Sequence, residues 1–188
     1  TKLLDQLGYR QVDVLGISWG GALAQQFAFQ YPVRCRRLIL VSTGTGALMV
    51  PGGPSVLAKL ATPRRFRDTT YMQRIAGELY GGSVRAHPEY ARSFIPSPHS
   101  YSSFGYFYQL LGSAGWTSLP WLCLIRQPTL IMHGDDDPIV PLANARIMHR
   151  LIPYASLYIF HDGHLGVGTS AQELAQVVDQ FLTAPVSS

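Results

Sequence analysis

The stretch VLGISWGG, Val14 to Gly21, ends an apolar run and opens a helical pattern. Val12 to Ile17 is short, apolar and bounded by a turn, which predicts a buried strand; Gly21 to Tyr31 carries alanines, glutamines and phenylalanines at helical spacing until Pro32 stops it. Between the two, Gly16, Ser18 and Gly20 fit G-x-S-x-G. In that strand-turn-helix setting the pattern marks a sharp, strained turn that holds a serine hydroxyl above a sheet, and small neighbours are needed because backbone segments come close there. The helix starts at the serine, so its positive end and the Trp19 backbone N–H face the place where an oxyanion would form. Gly and Ser are also common turn residues, so the pentapeptide alone leaves an incidental serine open.

Leu38 to Ser42 reads as a second buried strand, and strand, helix, strand at this spacing is a crossover between parallel strands. From Ala47 to Leu124 the character changes to Gly, Pro and aromatics. Pro128 to Met132 returns as a strand, followed by a helix over Leu142–Leu151, a strand over Ser156–Phe160 and an amphipathic helix over Ala171–Leu182. The expected class is α/β, a mostly parallel sheet with helices on both faces. Residues 1–46 and 125–188 form its core, and 47–124 is an insertion.

The 188 residues are 47% hydrophobic and 14% charged, a globular composition with room for one sizeable core. No apolar run approaches the roughly 20 residues of a membrane span, and no basic segment followed by an apolar one stands at the front. The chain is expected to be soluble, with no transmembrane segment. The net charge is +4, with basic residues scattered apart from Arg34, Arg36, Arg37 and Arg64, Arg65, Arg67; these read as solvated surface rather than a nucleic-acid face. Cys35 and Cys123 lack metal or redox spacing and read as reduced thiols.

A serine hydroxyl is a weak nucleophile; it needs a base, and the base needs an orienting acid. In a sheet of this kind the partners should follow in the order Ser, Asp or Glu, His, each in a loop beyond a strand. Asp135, Asp136 and Asp137 follow the strand Thr129 to Met132, and His161 and His164 follow the strand ending at Phe160. Asp137 is preferred as the farthest beyond the strand and the one preceding Pro138, with Asp136 left open as the competitor. His164 lies beyond Gly163 in the loop, whereas His161 adjoins the strand and reads as structural. His87, His99, His133 and His149 lack a suitable position. The chemistry of Ser18, Asp137 and His164 is acyl transfer to water and calls for no metal and no organic cofactor.

With these residues in place, the sequence resembles the α/β-hydrolase superfamily, and within it the intracellular medium-chain-length poly(3-hydroxyalkanoate) depolymerases. The resemblance rests on GISWGGALAQQFA at 16–28, MVPGGP at 49–54, TPRRF at 62–66, LYGG at 79–82, GYFYQLLGSAGWTS at 105–118, QPTLIMHGDDDP at 127–138 and DGHL at 162–165. It implies a cytoplasmic serine hydrolase that cleaves ester bonds of stored polyester at granules, where granule-associated proteins are further partners. Ser18, Asp137 and His164 match the family's triad, and 47–124 its cap. Phe107 and Trp116 in that cap are expected to touch acyl side chains of the substrate.

Two alternatives stand beside this expectation: a capped hydrolase of the same fold acting on small esters, lactones or carbon–carbon bonds, and a catalytically silent granule-surface protein. Family members carry a substantial part ahead of the elbow, including the loop that gives the second oxyanion N–H, whereas Thr1 here falls directly on a helical pattern marked by Leu3, Leu4 and Leu7. The chain is therefore expected to be an N-terminally truncated fragment. Its strand Val12–Ile17 would lack a neighbour on one side, and the fragment alone would associate and hydrolyse poorly.

Overall fold

The computed structural model describes residues 1–90 and 103–185; His99 lies outside them. Among the described residues four strands, β1 (Val12–Ile17), β2 (Cys35–Val41), β3 (Thr129–Gly134) and β4 (Ala155–Phe160), form one sheet in the order β1-β2-β3-β4. Every neighbouring pair is parallel, with Ile17 opposite Val41, Val41 opposite Met132 and Gly134 opposite Phe160. Parallel neighbours need crossovers. Helix α1 (Lys2–Gln6) precedes β1; helix α2 (Trp19–Gln30) supplies the first crossover and a helix over Ala143–Leu151 the last.

The core shows why the central strands read as unbroken apolar runs. Successive side chains of β2 point to opposite faces. Leu38 and Leu40 pack with Ala24 and Ala28 of α2, Ile131 of β3, and Ala145 and Met148 of the Ala143–Leu151 helix. Ile39 and Val41 pack on the other face with Leu130, Met132, Phe160 and Leu174, the last from the C-terminal helix Ala171–Thr183. With both faces covered, no polar alternation is left to see. β1 lies at one end of the sheet, and its Leu15 and Ile17 are exposed.

Strand ends depart most from the sequence reading at the start of β2 and the end of β3. β2 begins at Cys35, so Arg36 and Arg37 lie within it. Arg37 is not solvated surface: it is buried, and its guanidinium donates to the carbonyls of Leu182 and Ala184 at the end of the C-terminal helix, where a cation suits the helix dipole. Arg34 and Arg36 pair with Asp5 and Asp13. β3 continues past Met132 through His133 and Gly134, because these residues pair with Ile159 and Phe160 of β4.

Between β2 and β3 the described residues form helices: α3 (Pro54–Ala61), α4 (Arg64–Arg67), α5 (Thr69–Tyr80), α6 (Gly82–Ala86) and α7 (Ser103–Ala114). Val56, Met72, Ile75, Ala76, Leu79 and Val84 give α3, α5 and α6 an apolar core of their own. The segment leaves and rejoins the sheet at one point, where Gly46 bridges Thr117. Leu122 of the following 3₁₀ turn (Leu119–Leu124) already belongs to the sheet core.

Candidate active site

Ser18 sits between the end of β1 and the start of α2 with φ 50 and ψ −120, a left-handed conformation that a non-glycine residue adopts at a cost of about 1–3 kcal/mol. Three hydrogen bonds hold it there. Its N–H donates to Val41 O at 2.9 Å, its carbonyl accepts from Gly21 N at 2.9 Å, and the Thr43 hydroxyl donates to the same carbonyl at 2.7 Å. The tightness of the turn explains the glycines. A Cβ on Gly16 would stand 2.4 Å from Gly20 O, and one on Gly21 would stand 2.4 Å from Thr43 Oγ1.

The three consecutive aspartates beyond β3 diverge, and each has its own partner. Asp135 Oδ2 lies 2.5 Å from Nδ1 of His161, which is surface-exposed. Asp136 accepts from the Gly82 backbone at 2.7 Å and from Arg85 Nη2 at 3.0 Å. Asp137 alone turns inward: Oδ1 accepts the N–H groups of Ile139 at 3.0 Å and Val140 at 2.9 Å, and Oδ2 lies 2.8 Å from His164 Nδ1.

His164 completes a continuous chain. A carboxylate only accepts, so Nδ1 carries the hydrogen and leaves the Nε2 lone pair for the Ser18 hydroxyl, 2.9 Å away. The Asp137 side chain is fully buried and that of His164 is 8% exposed, so the pair is shielded on the acid side and open toward Ser18. The structure thus brings together the serine, acid and histidine preferred from sequence, and gives Asp136 a different job. Trp19 is the first residue of α2, next to Ser18.

The two insertion aromatics lie differently. Trp116 donates its indole N–H to Gln26 Oε1 of α2 at 2.7 Å and stands edge-on to Trp121. Phe107 on α7 is exposed, with its ring edge against Tyr108.

Some participants gave no sign in the sequence. His133 has no position for the catalytic base, yet its ring is fully buried with Nε2 donating to Val140 O at 2.7 Å and standing 3.7 Å from Asp137 Oδ2. Burial holds His133 below its usual imidazole value, so it is neutral at pH 7. The Tyr80 carbonyl accepts the backbone N–H of His164 at 2.8 Å. Such contacts depend on which turns meet across the fold, and no local pattern announces them.

The pattern of the α/β-hydrolase fold family matches residues 1–170. The chain belongs to the α/β-hydrolase family. The chain is 49% identical over 182 residues to a poly(3-hydroxyalkanoate) depolymerase of Ectopseudomonas oleovorans, covering 97% of its own length and 64% of that protein. It is 30% identical to a 2-hydroxymuconate semialdehyde hydrolase of Pseudomonas putida, covering 96% of this chain and 65% of the relative. It therefore spans just under two thirds of the length of these relatives. Its fold matches the crystal structure of an enol-lactonase from Burkholderia xenovorans with a TM-score of 0.79 and 19% identity, covering 97% of this chain and 69% of that one. No helix among the described residues is long and apolar enough to cross a membrane.

Proposed function

We propose that the protein is a serine hydrolase that cleaves the ester bonds of medium-chain-length poly(3-hydroxyalkanoate). Ser18 is the nucleophile, His164 the base and Asp137 the acid that orients it. The observation that carries this reading is the unbroken hydrogen-bonded chain from Ser18 Oγ through both ring nitrogens of His164 to Asp137. The 49% identity to a depolymerase supports the choice of substrate.

In this scheme Ser18 Oγ attacks the ester carbonyl while its proton passes to His164 Nε2. Asp137 steadies the imidazolium through Nδ1–H. The tetrahedral oxyanion is met by the Trp19 backbone N–H at the head of α2. Collapse breaks the ester C–O bond, and the leaving alkoxide takes the proton from His164, releasing a hydroxyl-ended chain. His164 then draws a proton from water, whose oxygen attacks the acyl-serine, and a carboxylic acid leaves with Ser18 restored. The scheme balances with water as the sole co-reactant.

Residues 47–124 act as a cap in this reading, with Phe107 and Trp116 beside the acyl side chains and the polyester granule as the site of action in the cytoplasm. Turnover of a medium-chain polyester emulsion, measured against a short soluble ester, tests it. Hydrolysis of both, with the polyester favoured, supports the depolymerase. Activity confined to small esters, lactones or dienoate carbon–carbon substrates favours the relationship to the semialdehyde hydrolase instead. No turnover of any of them would leave a silent binding protein.

A further inference from the structure

Two residues before His164 stands a carboxylate that the hydrolytic scheme does not use. Asp162 is 1% exposed. Its Oδ1 accepts the backbone N–H groups of Ser83 and Gly163, each at 2.7 Å. Its Oδ2 accepts the hydroxyls of Ser83 at 3.1 Å, Thr169 at 2.6 Å and Ser170 at 2.8 Å. These donors belong to three separate pieces of chain: the start of α6, the His164 loop, and the join between the short helix Gly166–Thr169 and the C-terminal helix. A buried carboxylate is costly unless its lone pairs are filled. Here they are filled by donors fixed to backbone or to short side chains, so the charge pins the three pieces to one point.

The pin lies in a crossing without slack. The Tyr80 carbonyl, at the end of α5, takes the N–H of His164 itself, and Gly82 N–H goes to Asp136. A Cβ on Gly81 would stand 1.9 Å from Asp136 O, one on Gly82 2.1 Å from Asp162 Oδ1, and one on Gly163 1.9 Å from Tyr80 O. Gly81 and Gly82 also take φ values of 67 and 49, which glycine adopts without strain. The loops bearing Asp137 and His164 therefore meet the α5–α6 turn backbone to backbone.

We propose that Asp162 is a positioning residue for His164, and that through Ser83 it builds the α5–α6 turn into the frame holding the imidazole between Asp137 and Ser18. This rests on the serine-hydrolase reading above. General-base chemistry needs the base within hydrogen-bond reach of the hydroxyl, and a displacement of about 1 Å costs on the order of a hundredfold in rate. Without its carboxylate, residue 162 leaves the donors of Ser83, Gly163 and Ser170 unpaired in a buried crossing, and the Thr169 hydroxyl keeps only the Leu165 carbonyl, at 3.2 Å. The loop must then shift to rehydrate them, carrying His164 with it.

The test compares Asp162→Ala, Asp162→Asn and Ser83→Ala in the protein. Competent sites are counted by running phosphonylation of Ser18 with a p-nitrophenyl phosphonate to completion, and kcat is expressed per labelled site. Asp162→Ala is expected to lower kcat per site about a hundredfold while KM changes less than about threefold. Asp162→Asn is expected to recover most of that loss, since its Oδ1 still accepts both N–H groups and its Nδ2 can donate to hydroxyls that turn round. Ser83→Ala, which keeps the backbone N–H contact, is expected to fall between wild type and Asp162→Ala. An unchanged kcat per site in Asp162→Ala, with the damage confined to melting temperature or yield, overturns the proposal; if that variant does not fold, an unchanged kcat per site in Ser83→Ala does so. A wild-type protein that the phosphonate leaves unlabelled at Ser18 overturns the hydrolase reading itself, a failure read on a different protein.

Discussion

His164 Nε2 lies 2.9 Å from Ser18 Oγ across 146 positions of sequence. That one distance joins the end of the first strand to the loop after the last, and the ring's other nitrogen is already committed to Asp137. Removing the hydroxyl breaks the chain at its reactive end. Ser18→Ala is expected to reduce ester turnover by at least about a thousandfold while circular dichroism stays unchanged, because the hydroxyl does little for packing. Retained turnover would move the chemistry elsewhere.

The three adjacent aspartates should separate cleanly by function. Asp137→Asn presents an amide to His164, loses support for its cation and disturbs its tautomer, with an expected loss on the order of 10⁴-fold in kcat. Asp135→Asn touches a pair whose histidine is in solvent and should change turnover by less than about twofold. Asp136→Asn weakens the contact with Arg85 and Gly82 and should show in melting temperature more than in rate. A severe kinetic defect in Asp136→Asn with a mild one in Asp137→Asn would reverse the assignment.

His133 gives the fold a pH dependence of its own. Burial, which outweighs the favourable pull of Val140 O and Asp137, holds its pKa below the usual 6.5, and its Nδ1 meets no hydrogen-bond partner among the described residues. The unfolded chain therefore takes up a proton as pH falls through 6.5 while the folded one does not, so stability is expected to decline below that point. Asp162 acts in a lower window. Burial alone would raise its carboxyl, but hydrogen bonds from Thr169, Ser83, Gly163 and Ser170 outweigh it and keep the group below 3.8; its contribution is present above that value and lost as pH falls through the folded pKa. Calorimetry at pH 7.5 and 5.5 should show a lower melting temperature at the acid value. His133→Leu should flatten that difference while lowering the baseline.

The insertion aromatics are expected to respond differently. Phe107→Ala removes an exposed ring and should slow hydrolysis of a medium-chain polyester more than that of a short ester, with little change in melting temperature. Trp116→Ala also removes the hydrogen bond to Gln26 and the packing against Trp121, so its melting temperature should fall as well. Equal kinetic losses on both substrates in Phe107→Ala would remove that ring from the substrate path.

Gly16→Ala tests the elbow without touching a reacting group. The added methyl meets Gly20 O, Gly21 Cα and Ala24 Cβ, all under 3 Å, so α2 must move away from β1. A destabilisation of about 1–3 kcal/mol with a parallel loss of turnover is expected in chemical denaturation and assay.

What was legible in the sequence followed from periodicity and order. Leu38 to Val41 reads as a buried strand because both faces of β2 are covered, and Ser18 stands out because the turn forbids side chains at Gly16 and Gly21. Asp137 and His164 could be chosen because strand ends in a parallel sheet collect on one edge. Other features depend on meetings that no window of sequence contains: Asp136 with Arg85 across 51 positions, Ser83 with Asp162 across 79, and Trp116 with Gln26 across 90. The helices between β2 and β3 were hidden for another reason. They are short, rich in Gly and Pro at their borders, and three of them bury their apolar faces in a small separate cluster, which gives a weaker periodic signal than the sheet helices do.

The sheet runs in the order of the chain, each strand joined to the next through a long crossover, and this governs how the protein reaches its active form. Helices such as Trp19–Gln30 can form from local contacts, but Ser18 meets His164 only after all three crossovers have closed and β4 has docked. Closure of distant contacts is slow relative to helix formation. In refolding from denaturant, the far-ultraviolet signal should therefore return well before ester turnover, and the hydroxyl–imidazole contact should be among the last to be restored.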